Sequence, residues 1–148
     1  MNFLFLFILC YTIPMKYIRF IPAIIILGFI WHWSNQPGLK SEYTPIIDFF
    51  LRKGAHILEY FILYLALFWG FLSQKFSSLS LSGIQLIHIK AFILAFLATL
   101  LDEWHQTWVL GREGKPLDLL FDSIGFLIAY ILIWVIWVYI ADKKHIHK

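Results

Sequence analysis

The stretch from Leu101 to Gly125 constrains this chain more than any other. It ends one long apolar run and begins another, yet it carries Asp102, Glu103, Glu113, Asp118 and Asp122. These are five of the nine acidic residues in the protein, so carboxylates gather where apolar helices should end. An acidic or basic side chain at the centre of a membrane helix costs about 3 kcal/mol, so such residues mark sites or interhelical networks.

The apolar runs are long enough to make that argument apply. Of 148 residues, 61% are hydrophobic and 14% charged, with a mean hydropathy of +0.77. Soluble domains average about 45–50% apolar and about 25% charged. The expectation is an all-α integral membrane protein, one domain over residues 1–148, with the lipid bilayer as its first partner. The net charge is +3 and the basic residues are scattered, which argues against a nucleic-acid interface. Cys10 is the only cysteine, which excludes an internal disulfide and a zinc site built on several cysteines.

Residues 1–13 are apolar and uncharged but shorter than the roughly 20 residues a span needs. They lack the basic start of a signal peptide, and Met15-Lys16 reads like a second translation start. Residues 1–14 are therefore either an extension or a lengthening of the first helix. The first span is expected at about 16–33, flanked by Lys16 and Arg19 and by Trp31 and Trp33 as interfacial anchors. Pro22 should kink it unless the regular helix begins near Ile21. After the polar break at 34–38, a semi-polar loop should run to about Lys53, with Phe49, Phe50 and Leu51 in the interface. Further spans are expected at about 54–72, 88–108 and 117–140, with a Ser-rich loop at 73–85 and a mobile basic tail at 142–148. His88, His145 and His147 read as interface and tail residues.

Four spans place both termini on one side, with Lys16, Arg19, Lys75, Lys90, Lys143, Lys144 and Lys148. The other side holds Lys40, Arg52, Lys53, Arg112 and Lys115, mixed with Glu42, Asp48, Glu113 and Asp118. The excess of positive residues favours cytoplasmic termini and an extracytoplasmic polar face.

Whatever the orientation, this topology brings four polar clusters to one face. They are Ser34 to Gln36, Arg52 to Tyr60, Asp102 to Gln106, and Asp118 to Asp122. Lys53, His56, Glu59 and Tyr60 follow helical spacing, and so do Asp102, His105 and Gln106. Glu103 reaches Gln106 at plus three. Asp118, Asp122 and Gly125 fall at plus four and plus seven, and Ala129 extends a small-residue line suited to close helix contact. The loop from Gly111 to Pro116 can bring Arg112 over the cluster, where its planar fork suits a phosphate or carboxylate.

These motifs resemble the VanZ-like membrane proteins: Arg52-Lys53-x-x-His56-x-x-Glu59-Tyr60, Asp102-Glu103-x-x-Gln106, Gly111-Arg112, and Asp118 with Asp122 and Gly125. The resemblance covers roughly residues 34–129. Asp122 stands where many members carry asparagine, and Ala129 where a second glycine is usual. The resemblance implies a small helical membrane protein of the bacterial plasma membrane and cell envelope. The family is named for a protein linked to low-level resistance to the glycopeptide teicoplanin, so the resemblance implies such a link as well. It implies no settled reaction.

The residues themselves suggest a site for an anionic lipid-linked or cell-wall substrate. His56, Glu59, Asp102 and Glu103 would handle protons. Lys53 and Arg112, with Arg52, would hold the anion, and Tyr60, Gln106, Asp118 and Asp122 would position it. Carboxylate and imidazole ligands suit divalent metals, but the spacing of His56, Glu59, Asp102, Glu103 and His105 matches no specific metal motif, and no cofactor is named. The competing readings are a non-enzymatic protein that binds a cell-wall precursor or partner, and a cluster that only locks helices together.

Overall fold

The computed structural model of the chain describes residues 15–36, 45–72, 79–112, 114 and 117–146. The expectations for residues 1–14, Lys40, Glu42, Lys75, Glu113, Lys115, His147 and Lys148 lie outside them. Among the described residues the fold is all-helical, without strands. A single helical turn, Met15–Ile18, precedes α1 (Ile21–Ser34), α2 (Pro45–Phe71), α3 (Leu81–Gln106) and α4 (Asp118–Ile146).

Proline chemistry sets the start of the first two helices. Pro22 falls in the first turn of α1, where a missing N–H breaks no helical bond. The regular helix therefore begins at Ile21, and the break falls at Arg19–Phe20 rather than as a kink inside a span. With 14 residues α1 is about 21 Å long, short of a full crossing. Its ends nevertheless meet opposite ends of the bundle. Phe20 packs edge-on against Phe71 at the end of α2, while Ser34 meets Gln106 at the end of α3. Pro45 opens α2 in the same way, well ahead of the expected start near Gly54. Arg52 and Lys53 are thus helical residues rather than loop residues.

Two other boundaries also differ from expectation. α3 starts at Leu81, inside the segment expected as a loop, because the Ser80 side chain accepts a hydrogen bond from the Gly83 amide and caps the helix. α4 continues to Ile146, so the segment from Asp142 to Ile146 is helix and not a free tail. Three stretches are long and apolar enough to cross a membrane: Phe49–Phe71, Leu81–Gln106 and Asp118–Lys143.

The helices alternate in direction, and α2 against α4 is the most extensive contact. Its core is built from residues three and four apart: Tyr60, Leu63, Tyr64 and Leu67 on α2, and Phe126, Ala129 and Ile133 on α4. Gly125 permits the close approach, since a Cβ there would strike the Ile57 carbonyl and the Phe61 amide. From α3, Ile84, Ile87, Ala91 and Ala95 complete the core. Outward faces carry exposed Ile, Leu, Phe and Trp side chains, the surface that a lipid environment requires.

Candidate functional site

The direction of each helix carries its polar stripe to one end of the bundle. The first turns of α4 place Asp118 and Asp122 beside α2. There Lys53 Nζ binds the Asp118 carboxylate. One turn deeper, His56 Nδ1 lies 3.1 Å from Asp122 Oδ1. Asp118 sits in the first turn of α4, where a carboxylate complements the helix dipole.

The end of α3 supplies the second half. Gln106 Nε2 donates to Asp102 Oδ2 at 2.9 Å and, at 3.5 Å, to Ser34 Oγ of α1. Gln106 therefore binds Asp102, one turn back, as the plus-four spacing allows. Glu103 is buried on the same turn. Glu59 is half-buried between the halves, within electrostatic reach of His56, Asp102, Asp122 and Arg112. Tyr60 is fully buried; its ring packs on Phe126 and His56, and its hydroxyl lies near Thr99 in the field of Asp102 and Asp122. His105 stacks on Trp31, with ring centroids 3.9 Å apart.

Arg112 reaches the cluster from the loop after α3, but its fork is held by protein. Nε donates to the Gln36 carbonyl at 2.9 Å and Nη2 to the Trp33 carbonyl at 2.7 Å. These are carbonyls at the end of α1, where a cation also meets the negative pole of the helix. Gly111 adopts a positive φ of 77°, the turn that glycine permits. Gly114 lies against the Glu103 carbonyl with no room for a side chain, which packs this loop onto α3. Lys53 goes to Asp118, and Arg112 to backbone carbonyls.

The structure brings all ten predicted residues, Lys53, His56, Glu59, Tyr60, Asp102, Glu103, Gln106, Arg112, Asp118 and Asp122, to this end of the bundle. Asp102 and Asp122 share one feature. Each is buried, each has one carboxylate oxygen hydrogen-bonded, and the other (Asp102 Oδ1, Asp122 Oδ2) has no partner among the described residues. Such half-satisfied groups are unfavourable in a purely structural network. No group of three or more His, Cys, Asp or Glu side chains is arranged to hold a metal among the described residues. An apolar groove of about 370 Å³ between α1 and α3, lined by Leu27, Trp31, Leu94, Leu97 and Leu101, leads to Asp102.

Two further residues complete the site. Ser34, expected at this face, accepts from Gln106, while Gly114, which sequence reasoning missed, makes room for the loop. His88, expected at the interface, is instead buried and hydrogen-bonded to Tyr64 at 2.9 Å. The signal was its register: His88 falls four residues after Ile84 and three before Ala91, on the core-facing stripe of α3.

No curated protein and no solved structure matches this chain. The sequence model of the VanZ/LLP1 family matches residues 3–138, which takes in every residue of the polar cluster. With three helices apolar enough to cross a bilayer and the cluster assembled at one end, the chain belongs to the VanZ/LLP1 family and is a VanZ-like membrane protein.

Proposed function

We propose that the polar end of the bundle binds a lipid-linked substrate of the bacterial cell envelope, one with hydroxyl groups and an anionic linkage, and so contributes to glycopeptide resistance. The observation that carries this reading is the pair of buried, half-satisfied carboxylates. Asp102 Oδ1 and Asp122 Oδ2 await hydrogen-bond donors, and substrate hydroxyls would supply them. Lys53 and Arg112 flank the carboxylates and would offset the charge of the anionic group, while the α1–α3 groove would take the hydrocarbon chain. His56 and Glu59, within reach of both carboxylates, would move protons if the substrate is turned over. The excess of basic residues on the other side favours an extracytoplasmic site.

A second reading is a binding protein without turnover, its cluster serving mainly to lock the helices. It is favoured by the engagement of Lys53 with Asp118 and of Arg112 with the end of α1. The test is expression of the parent, Asp102→Asn and Glu59→Gln at matched membrane levels in a teicoplanin-susceptible Gram-positive host. The proposal expects the parent to lower susceptibility and Asp102→Asn to restore it. Loss with Glu59→Gln as well, while substrate still binds, favours turnover. A parent without effect on susceptibility overturns the resistance role.

A further inference from the structure

A second groove lies about 21 Å from Asp102, measured as the rise along α3 to His88. It runs between α3 and α4 over a floor from α2, has a volume of about 480 Å³, and is lined by Tyr64, His88, Phe92, Ile93, Phe126 and Leu127, among others. This size suits a drug-sized or single-chain ligand.

The α3 wall holds a buried imidazole with an unmet hydrogen bond. His88 is 4% exposed, and its Nε2 has no partner among the described residues. The Tyr64 hydroxyl lies 2.9 Å from His88 Nδ1 and 3.4 Å from the His88 carbonyl. Assigned over the shorter contact, the Tyr64 hydroxyl donates to Nδ1, and the ring proton then sits on Nε2 as a donor. Phe68 and Tyr130 pack against the ring at 4.8 and 4.5 Å and fix its plane. The Ser123 hydroxyl is already taken by the Leu119 carbonyl at 2.6 Å. A water would find too few partners in so apolar a slot.

Depth identifies the occupant. Lys90 is exposed two residues after His88, where its ammonium needs the headgroup region within reach, and Gln106 lies in the polar cluster. The rise from His88 to Gln106 is about 27 Å, close to the thickness of a hydrocarbon core. On α4, Trp134 lies 6.5 Å from His88 as an interfacial aromatic. His88 therefore lies at the boundary opposite the polar cluster. At that level a glycerolipid carries its ester carbonyls, while its acyl chains run on toward the bilayer centre.

We propose that the α3–α4 groove binds an ester-linked glycerolipid of the leaflet opposite the polar cluster. Its carbonyl accepts a hydrogen bond from His88 Nε2–H, and its acyl chain lies along Phe92, Ile93, Phe126 and Leu127. This site is separate from the polar cluster and stands whether or not that cluster binds a substrate.

The test is native mass spectrometry of the detergent-purified protein titrated with dioleoyl phosphatidylglycerol or with its dialkyl ether analogue, which lacks the carbonyl. The parent should retain one ester lipid per chain about fivefold more tightly than the ether lipid, the effect of one net hydrogen bond. His88→Leu should lower ester affinity to the ether level. Leu127→Trp, which fills the groove from its lipid-exposed rim, should weaken both. Equal binding of the two lipids by the parent overturns the proposal, as does a preference for ester that survives in His88→Leu. Should His88→Leu not fold, the parent comparison with Leu127→Trp decides alone.

Discussion

Gly125→Ala probes the contact on which the whole polar site rests. A Cβ at Gly125 would strike the Ile57 carbonyl and lie 2.8 Å from the Phe61 amide nitrogen. Both obstacles are helix backbone, so no rotamer change relieves them. Ordinary contact begins near 3.4 Å, so the Phe61 approach alone asks for 3.4 − 2.8 = 0.6 Å of separation between α2 and α4. His56 and Asp122, one turn away at 3.1 Å, would then part to about 3.7 Å, beyond hydrogen-bonding range. Overpacking costs about 1–3 kcal/mol and the lost hydrogen bond about 1, so destabilisation of about 2–4 kcal/mol is expected. Gly28 and Gly54 are the controls: nothing lies within 4 Å of an added Cβ at either. Gly28→Ala and Gly54→Ala should be neutral or gain up to about 1 kcal/mol of helix propensity. The assay is unfolding in mixed detergent micelles, followed by helical circular dichroism. A Gly125→Ala variant as stable as Gly28→Ala would refute the reasoning, because the close α2–α4 contact would then be absent.

Two further perturbations separate structural from functional groups. Arg112→Lys should weaken the end of α1 by about 1–2 kcal/mol, since an ammonium cannot reproduce a fork that holds the Trp33 and Gln36 carbonyls together. Hydrogen exchange at residues 33–36 should quicken, and unchanged protection would count against the capping role. A double-mutant cycle of Lys53→Met and Asp118→Leu should show a coupling of about 1–3 kcal/mol, above a surface pair because both side chains are largely buried. Additive single effects would mean that the pair contributes nothing.

The placement of the polar cluster was legible in the sequence because it follows from topology alone. Apolar runs of the right length, with acids at alternating ends, bring Lys53, His56, Asp102 and Asp122 to one end in any up-and-down bundle. The partners within that end were less legible, because they depend on rotations the pattern does not encode. Arg112 illustrates this. Its charge suggested an anion, while in the structure α1 ends within its reach and its carbonyls take the fork. Helix ends were misplaced where local chemistry outweighs hydropathy, as with Pro45 opening α2 and Ser80 capping α3. His88 was misread for a related reason. A histidine near a helix start looks interfacial until its register shows it turned inward to Tyr64.

The central claim is that Asp102 and its neighbours are held for binding at the expense of folding, and Asp102→Asn tests it most directly. The amide can keep the hydrogen bond from Gln106 while removing the charge and the unpaired carboxylate oxygen. Thermal unfolding of the intact protein in detergent should show Asp102→Asn at least as stable as the parent, the signature of a site kept for function. A variant that unfolds well below the parent would show instead that the cluster is structural glue, contradicting the account.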